Sequence, residues 1–399
     1  MPFVPPVRLA YLVSHPIQYQ APLLRRISAE PDIELTAFFC SDISVKPFQN
    51  PGFGQVIAWD VPLLEGYRHQ FLPAWGQRDR LSFSRPFSYG LTRRLREGGF
   101  DTLWVHSYAR LANLLAITTA RRLKLPVLLR EEATAFSLPR GPARRFVKRA
   151  FMKGLDRLVS AYLAIGSANS DYYRAHGIGP ERIFPMPYAV DNDRFREAAE
   201  KARPESGKLR RALGIPEYAK VALTAARLIP EKGIGDLIEA WAETRKTMAP
   251  EKQCRLIIVG DGPLRTELEA RAAVIGGVHF AGFRNQTELP AFYALADLFV
   301  LPSRREPWGL VVNEAMNAGC AILASDHVGA ARDLVRPGVN GEVFPAGQTA
   351  RLAQSLMHLL VDDARLAAMG RASRDIIAGW SFEEDVVGLR RALASVLGR

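Results

Sequence analysis

The sequence has few cysteines and lacks a long apolar run. Its three cysteines, Cys40, Cys254 and Cys320, are far apart among 399 residues and have no CxxC spacing. This pattern does not indicate a disulfide framework or a structural zinc site, and it favours a reducing compartment. No run approaches the roughly 18 apolar residues of a membrane-spanning helix. We therefore expect a cytoplasmic protein.

The first residues, MPFVPPVRLAYLVS, contain one arginine and a short apolar run. This favours a first buried strand over a signal peptide. Hydrophobic residues make up 48% of the chain, an ordinary value for a globular protein with a sizeable core. The length predicts two or three domains.

Acidic residues are outnumbered, and the excess of positive charge is uneven. The net charge is +12, of which +9 falls in residues 1–200 and +3 in the remainder. Such a field attracts nucleic acid, anionic lipid or phosphate-bearing substrates, and composition does not choose among them. No recognisable nucleic-acid motif accompanies the charge, so we expect no nucleic-acid partner.

Apolar strands and helical patterns alternate through both halves of the chain. This alternation predicts an α/β protein with two Rossmann-like, doubly wound parallel sheets. The predicted parts are an N-terminal domain (1–190), a linker (191–212), a C-terminal domain (213–380) and a last helix (381–399).

Two acids stand out in the segment 300–335. Glu306 lies in a polar turn after an apolar strand, and Glu314 lies on the helix that follows. Unpaired amides at a helix N-terminus favour an anionic ligand, although Glu306 is equally well explained as a helix-start acid. Glu314 has apolar neighbours, so its carboxylate needs a partner, such as the hydroxyls of a sugar.

The spacing Glu306-Pro-Trp-Gly-Leu, then Asn-Glu314-Ala-Met, then Ala-Gly319 resembles the paired-glutamate signature of the retaining glycosyltransferases of family 4, the bacterial group 1 type with GT-B fold. The resemblance implies two facing domains with an interdomain cleft, a last helix that crosses back to the first domain, and a nucleotide-sugar donor. It also implies that Glu306 is catalytic and faces the donor sugar, and that Glu314 binds ribose. The implied donor sugar and phosphate loop is Pro307, Trp308, Gly309 and Leu310.

One arginine and one lysine, Arg227 and Lys232, lie in a strand-to-helix loop. Such cations suit a diphosphate, and they match the diphosphate-binding pair of the family; the alternative is two solvated loop cations. Glycine turns follow the next two strands, and the resemblance implies that this region meets the nucleotide base. Its residues are Gly260, Gly282, Phe283 and Arg284.

The first half departs from the family pattern, because the loop SHPIQYQAP after the first strand lacks the usual glycine-rich segment. Ligands bind at such strand ends, so this loop predicts acceptor-side contacts unless it only shapes the turn. Its polar residues are His15, Gln18, Tyr19 and Gln20.

His106 ends another predicted strand, and the resemblance implies that it is catalytic and contacts the donor sugar. A structural histidine is the alternative. By the same strand-end argument, Arg130, Glu131 and Glu132 are predicted to line the acceptor side, with a surface ion pair as the competing interpretation.

Three further segments each allow two interpretations. The irregular region 41–81 contains residues 59–67, which border the acceptor site or form a packed surface excursion. Residues 140–157 predict a basic amphipathic helix, which docks on an anionic membrane or is a core helix with a solvated face. Asp191-Asn192-Asp193 has the spacing of a metal-binding Asp-x-Asp but lacks the matching strand, so we expect no metal site.

The residues and the resemblance together favour a hexosyltransferase that needs no cofactor or metal and uses a UDP- or GDP-linked sugar. Its acceptor would be a glycan, a lipid-linked glycan or a small molecule. We expect a role in cell-surface polysaccharide or glycoconjugate synthesis. The basic helix also allows peripheral attachment to the inner face of the cytoplasmic membrane. Two alternatives are a GT-B nucleotide-sugar epimerase and a non-catalytic nucleotide-sugar-binding subunit. The sequence does not determine the oligomeric state.

Overall fold

The computed structural model describes residues 2–50, 52–76, 81–136, 141–248 and 253–399. Arg140 and residues 51 and 77–80 of the predicted irregular region lie outside these ranges. The chain forms two compact units. Unit 1 comprises Met1–Phe48, Val61–Tyr188 and Phe382–Arg399, and unit 2 comprises Gln49–Asp60 and Ala189–Ser381.

The first half of the chain combines parallel strands and helices with a run of short strands between Phe48 and Ser88. Its elements are β1 (Val7–Val13), α1 (Ala21–Ser28), β2 (Ile33–Phe39), β3 (Phe48–Asn50), β4 (Gln55–Ile57), β5 (Arg68–Phe71), β6 (Ala74–Trp75), β7 (Phe87–Ser88), α2 (Leu91–Glu97), β8 (Thr102–His106), α3 (Leu111–Arg122), β9 (Val127–Arg130), α4 (Pro142–Asp156), β10 (Ala161–Ala164), α5 (Ser167–Ala175) and β11 (Ile183–Pro185).

Unit 1 is built on a parallel sheet with the strand order β11-β10-β9-β8-β1-β2-β5. The interior strand β1 is buried on both faces from residue 9 to residue 13, which explains its apolar run there. Ala10 and Leu12 pack into the core on one face, and Leu9 and Tyr11 pack into the core on the other. The strand order reverses between β1 and β8, so their carboxyl ends flank the crevice where ligands bind in such sheets.

The second half continues the alternation. Its elements are α6 (Asn192–Ala202), α7 (Ser206–Ala212), β12 (Lys220–Ala225), α8 (Ile234–Thr247), β13 (Cys254–Val259), α9 (Arg265–Ala273), β14 (Val278–Gly282), α10 (Leu289–Leu295), β15 (Leu298–Leu301), α11 (Leu310–Ala318), β16 (Ala321–Ser325), α12 (Gly329–Leu334), β17 (Gly341–Phe344), α13 (Thr349–Leu360), α14 (Asp363–Ala378) and α15 (Phe382–Leu397).

Unit 2 is built on a second parallel sheet, with the strand order β14-β13-β12-β15-β16-β17. Here the order reverses between β12 and β15. The prediction of two doubly wound parallel sheets is therefore confirmed. None of the helices in the described ranges combines the length and apolar composition that crossing a bilayer requires.

Three segments differ from the sequence-based expectation. β5 lies inside the region predicted to be irregular, and it pairs with β2 at the edge of the sheet. Residues 191–212, predicted as a linker, form α6 and α7 of unit 2. The segment Gln49–Asp60 belongs to unit 2, although it lies within the part of the chain predicted as the first domain.

Candidate active site

The charged residues predicted to bind the donor come together at the point where the strand order of unit 2 reverses. Arg227 and Lys232 follow β12, and Glu306 follows β15, the strand that pairs with β12. The Lys232 ammonium group donates to the Glu306 carboxylate, and both side chains are largely buried, at 12% and 13% exposed. The structure thus joins the predicted diphosphate lysine to the predicted catalytic acid.

The loop that carries Glu306 is held by two neighbouring loops. The Glu306 amide donates to the His327 carbonyl at 3.1 Å, and the Glu306 carbonyl accepts from the Gly329 amide at 3.0 Å. Gly329 has no room for a side chain, because a Cβ there would lie 2.1 Å from the Pro307 carbonyl oxygen. On the other side, Arg304 makes two hydrogen bonds to Asp236, of 2.8 and 2.7 Å. These contacts hold the backbone of the Glu306 loop in position.

Gly233 allows the loop after β12 to approach Glu306. Its φ is +66°, a left-handed conformation that favours glycine, and a Cβ would lie 2.3 Å from the Pro302 carbonyl oxygen. Lys232, one residue earlier, is thereby brought within reach of the acid.

Arg227 contrasts with Lys232, because its side chain is exposed. Within the described ranges, its guanidinium group has no hydrogen-bond or ion-pair partner. An arginine with five open N–H donors on the same loop as a second cation suits a phosphate group.

Glu314 lies on α11 and is 5% exposed. The Tyr293 hydroxyl donates to its Oε2 atom at 2.7 Å. Burial raises the pKa of Glu314 to about 7, although the Tyr293 hydrogen bond and the Arg194 charge act in the opposite direction. The partner that a buried carboxylate needs is thus a tyrosine, which the sequence analysis missed because it lies 21 residues away on another helix.

The predicted donor sugar and phosphate loop is only partly accessible. Trp308 is 3% exposed, donates to the Asn313 side chain at 3.0 Å and stacks on Trp380 with ring centroids 5.4 Å apart. Its indole therefore supports the fold of unit 2. Pro307 and Leu310 are half-buried, and Gly309 precedes α11 in a left-handed conformation with a φ of +97°.

The turns of the predicted base region lie side by side. The Gly260 amide donates to the Gly282 carbonyl at 2.8 Å, and Gly260 packs so closely that a Cβ would lie 1.9 Å from the Ala226 carbonyl oxygen. Phe283 is half-buried, and Arg284 donates to Glu288 at 3.0 Å. The ends of β12, β13 and β14 thus form one continuous edge.

The Asp-x-Asp segment serves as a helix cap. Asp191 precedes α6 and accepts from the Arg194 amide at 3.1 Å. In the part of the chain that the structure describes, no group of three or more histidine, cysteine, aspartate or glutamate side chains is placed to hold a metal ion.

In unit 1, the predicted residues His106, Tyr19 and Glu132 come together at the ends of β1, β8 and β9. The Gln20 side-chain nitrogen lies 3.0 Å from each ring nitrogen of His106, and a Glu132 carboxylate oxygen lies 3.7 Å from the Nε2 atom of His106. Glu132 also accepts from the hydroxyls of Tyr19, at 3.0 Å, and of Tyr188. Tyr188 is a further residue that the sequence analysis missed.

The two neighbouring acids have opposite pKa shifts. Burial favours the neutral form of Glu132, but His106 and the two tyrosine hydroxyls outweigh it and lower the pKa of Glu132 to about 2. Burial raises the pKa of Glu131, whose carboxylate accepts from the Tyr108 amide at 3.0 Å. Glu132 is therefore the more acidic member of the pair.

The remaining loop residues are His15 and Gln18. Burial, with the charges of Arg110 and His106, lowers the pKa of His15 to about 4, so its imidazole is neutral at pH 7. Its Nδ1 atom lies 2.8 Å from the Ser14 hydroxyl. Gln18 is half-buried.

Arg130 does not fit its predicted place on the acceptor side. It is 1% exposed and donates to Asp385 and to the carbonyls of Met186 and Pro187. A guanidinium group that is buried in this way joins α15 to the rest of unit 1. The position of Arg130 at the end of a strand predicted a ligand contact. Instead, its side chain forms a buried ion pair with Asp385.

The predicted basic amphipathic helix is α4, and it buries only Met152 and Leu155. Its first turns lie open to solvent, with Phe146 75% and Val147 66% exposed. Arg144, Arg145 and Arg149 are exposed beside them. The exposed face of α4 thus carries two apolar side chains among arginines, whereas the solvent-facing side of a core helix is usually polar throughout.

Comparison with known proteins places the chain in a family. The family described as "Glycosyl transferases group 1" matches residues 205–376, and the "Glycosyl transferase 4-like domain" matches residues 47–189. A GDP-mannose-dependent alpha-(1-6)-phosphatidylinositol monomannoside mannosyltransferase of Mycobacterium tuberculosis is 31% identical over 311 residues, 73% of this chain and 75% of the relative. The alpha-D-kanosaminyltransferase of Streptomyces kanamyceticus is 29% identical over 239 residues, and the match spans 59% of each chain.

Solved structures show the same fold. Sucrose-phosphate synthase from Thermosynechococcus elongatus superposes with a TM-score of 0.73 at 17% identity, over 98% of this chain and 99% of that chain. Anabaena HepE, solved with UDP and glucose, superposes with a TM-score of 0.70 at 20% identity and the same coverage. The predicted GT-B fold is confirmed, and the chain belongs to the bacterial type 4, group 1 glycosyltransferases.

Proposed function

We propose that the chain moves a hexose-type sugar from a UDP- or GDP-linked donor to a hydroxyl group of a glycan, glycolipid or small molecule, with retention and without a metal ion. The observations that carry this proposal are the Lys232–Glu306 ion pair and the open guanidinium of Arg227, which lies on the same loop as Lys232, at the point where the strand order of unit 2 reverses. This position is where open α/β sheets bind ligands.

The charges suit the departure of a nucleoside diphosphate. As the bond to the sugar breaks, negative charge grows on the leaving phosphate, and Arg227 and Lys232 stabilise it without a metal. Glu306 holds Lys232 in place and orients the donor sugar, while Glu314 accepts hydrogen bonds from the ribose. The leaving phosphate helps to deprotonate the acceptor hydroxyl, so no dedicated protein base is needed.

Further contacts are proposed for the residues at the ends of β1, β8 and β9. His106 contacts the donor sugar, and the acceptor side consists of His15, Gln18, Tyr19, Glu131 and Glu132. The Glu132 carboxylate remains charged at neutral pH and is a strong acceptor for sugar hydroxyls, which supports a polyhydroxylated acceptor.

We also propose that the protein works in the cytoplasm on the inner face of the membrane, in the synthesis of cell-surface polysaccharide or glycoconjugate. The exposed Phe146 and Val147 of α4 and their neighbouring arginines support attachment to an anionic lipid surface. The mycobacterial relative, whose name specifies a phosphatidylinositol mannoside, supports a lipid-linked acceptor.

The first test is the thermal unfolding midpoint with UDP, GDP, UDP-glucose and GDP-mannose in the presence of EDTA. A ligand that binds only the folded chain raises this midpoint, so selective stabilisation identifies the donor. Transfer to an acceptor panel is then followed by NMR of the product's anomeric proton. A dependence on Mg²⁺, or an inverted anomer, would contradict the proposed mechanism.

The same assays separate the alternatives. Conversion of the nucleotide-sugar without an acceptor would favour an epimerase, and binding without turnover across the panel would favour a non-catalytic subunit.

A further inference from the structure

The segment 52–60 lies in the first half of the sequence, yet it packs on the carboxyl edge of the unit 2 sheet. Phe53 contacts Phe283 edge-to-face with ring centroids 4.9 Å apart, and Trp59 lies 6.4 Å from the same ring. All three rings are half-buried, so each leaves part of its surface open. A core cluster would bury them fully, and this one does not.

The same segment also touches Arg227. A Cβ at Gly52 would lie 2.6 Å from the Nη1 atom and 2.8 Å from the Cδ atom of Arg227, so the backbone at Gly52 lies directly against that side chain. The segment therefore touches both the predicted phosphate-binding arginine and the aromatic ring of the predicted base region. The turn at Gly260 lies between these two residues: it packs closely on Ala226, which precedes Arg227, and its amide donates at 2.8 Å to the carbonyl of Gly282, which precedes Phe283.

Hydrogen bonds anchor the far end of the segment. The Asn285 side chain donates to the Ala58 carbonyl at 2.6 Å, and the Asp60 carboxylate accepts from the Thr287 amide at 3.0 Å and from its hydroxyl. These hydrogen bonds, with the contact of Phe53 on Phe283, hold the two aromatic rings in place without a ligand. Pre-positioned rings lose little freedom when they bind a flat partner.

We infer that residues 52–60 form the wall of the donor site that contacts the nucleobase, with Phe53 and Trp59 as the residues that set base specificity. This inference rests on the proposed function, since it needs a nucleoside diphosphate with its phosphates on Arg227. The ligand chemistry is a planar heteroaromatic base that stacks on aromatic side chains at the end of a bound diphosphate.

The test measures the dissociation constants of UDP, GDP and inorganic pyrophosphate for the full chain and its variants by calorimetry. Phe53→Ala and Trp59→Ala should each weaken the preferred nucleoside diphosphate by about tenfold and change the ratio of the UDP and GDP constants, because base stacking is lost. Pyrophosphate has no base, so its binding should not change.

Two further variants separate the loss of base stacking from a general loss of packing. Phe53→Leu keeps apolar volume but removes the ring, so it should reproduce the loss of base discrimination with an unchanged unfolding midpoint. Trp75→Ala is the matched control, because Trp75 is 68% exposed and stacks on Phe87 in unit 1, whereas the donor residues tested here belong to unit 2. It should leave all three dissociation constants unchanged.

The outcomes distinguish the inference from the proposed function. One outcome is that the unaltered chain binds a nucleoside diphosphate and the Phe53 and Trp59 variants bind it equally well, with the same ratio of UDP and GDP dissociation constants. In that case residues 52–60 do not recognise the base, and the inference is overturned. If the unaltered chain binds neither UDP nor GDP, the proposed function fails and the inference falls with it.

Discussion

Arg130 and Asp385 form an ion pair in the interior of unit 1, with 2.9 Å between Nη2 and Oδ1. Their side chains are 1% and 0% exposed, and 255 residues separate them in the sequence. Asp385 lies on α15, so the pair ties the last helix to the end of β9. A buried charge whose partner is removed is costly, which makes this contact a test of how α15 is held.

Asp385→Ala should lower the free energy of unfolding by about 3–5 kcal/mol, because it leaves the Arg130 guanidinium buried without its counterion. Denaturant titration measures the loss. Glu383→Ala on the same helix is the control, since the Glu383–Arg26 pair is 63% and 31% exposed and should contribute at most about 1 kcal/mol. Equal effects of the two variants would show that the buried pair has no special part in holding α15.

This pair also shows where sequence reasoning reaches its limit. The positions of Glu306, Arg227 and Lys232 at one edge of the unit 2 sheet were predictable, because each lies in a loop that follows an apolar strand and parallel strands gather their carboxyl ends at one edge. Arg130 follows the same rule, yet its side chain points into the core. Only the position of Asp385, which no local pattern reveals, decides between the two outcomes.

Long-range contacts account for the other differences between prediction and structure. Trp308 belongs to a motif that predicted a ligand loop, but Trp380 stacks on it and the indole becomes part of the core. The segment Gln49–Asp60 was placed in the first domain by its position in the sequence, and its contacts with Phe283 and Thr287 place it in unit 2. The periodicity of strands and helices reports local structure and does not report such contacts.

Arg227→Ala should weaken nucleoside diphosphate binding by about 10- to 100-fold while it leaves nucleoside binding and the unfolding midpoint unchanged. A hydrogen bond to a charged group contributes about 1.5–3 kcal/mol, and the exposed Arg227 side chain makes no ion pair among the described residues whose loss would affect stability. Arg305→Ala is the control, because Arg305 lies on a neighbouring loop and already pairs with Glu231 at 2.8 Å. Equal losses for diphosphate and nucleoside would contradict the phosphate assignment.

Glu306→Gln should reduce the transfer rate below about 0.1% of the original while UDP or GDP binding stays measurable. The substitution keeps the shape of the side chain but removes the charge that holds Lys232 and faces the donor sugar. Steady-state turnover and calorimetry measure the two quantities separately. Glu231→Gln, on the loop of Lys232 but outside this ion pair, is the control, and normal turnover by Glu306→Gln would exclude the assigned role.

Nucleotide binding should depend on pH through Glu314. Burial raises its pKa from 4.5 to about 7, so folding makes the acid bind its proton more tightly. The stability that this group contributes is therefore present at low pH and is lost as the pH rises from about 4.5 to about 7.

Ribose hydroxyls donate hydrogen bonds and need the ionised form of Glu314. Affinity for the preferred nucleoside diphosphate should thus be about tenfold lower at pH 6 than at pH 8. The control is Glu314→Gln, which has no titrating group at this position. The pH dependence of its nucleoside diphosphate affinity therefore comes from the phosphate groups alone. Identical pH profiles for the two proteins would contradict the ribose assignment.

Charge reversal on α4 tests the membrane proposal. Arg144→Glu with Arg145→Glu should weaken binding to vesicles that contain phosphatidylglycerol by at least about tenfold, because each basic residue near an anionic surface contributes about 1 kcal/mol. Phe146→Ser should weaken it as well, since its ring is 75% exposed and available to enter the lipid interface. The control is Arg93→Glu with Arg96→Glu on α2, which changes the net charge by the same amount at another exposed site. Vesicle sedimentation measures all of these variants: if both pairs of reversals act alike, the overall charge draws the chain to lipid, whereas a selective loss identifies α4 as the docking surface.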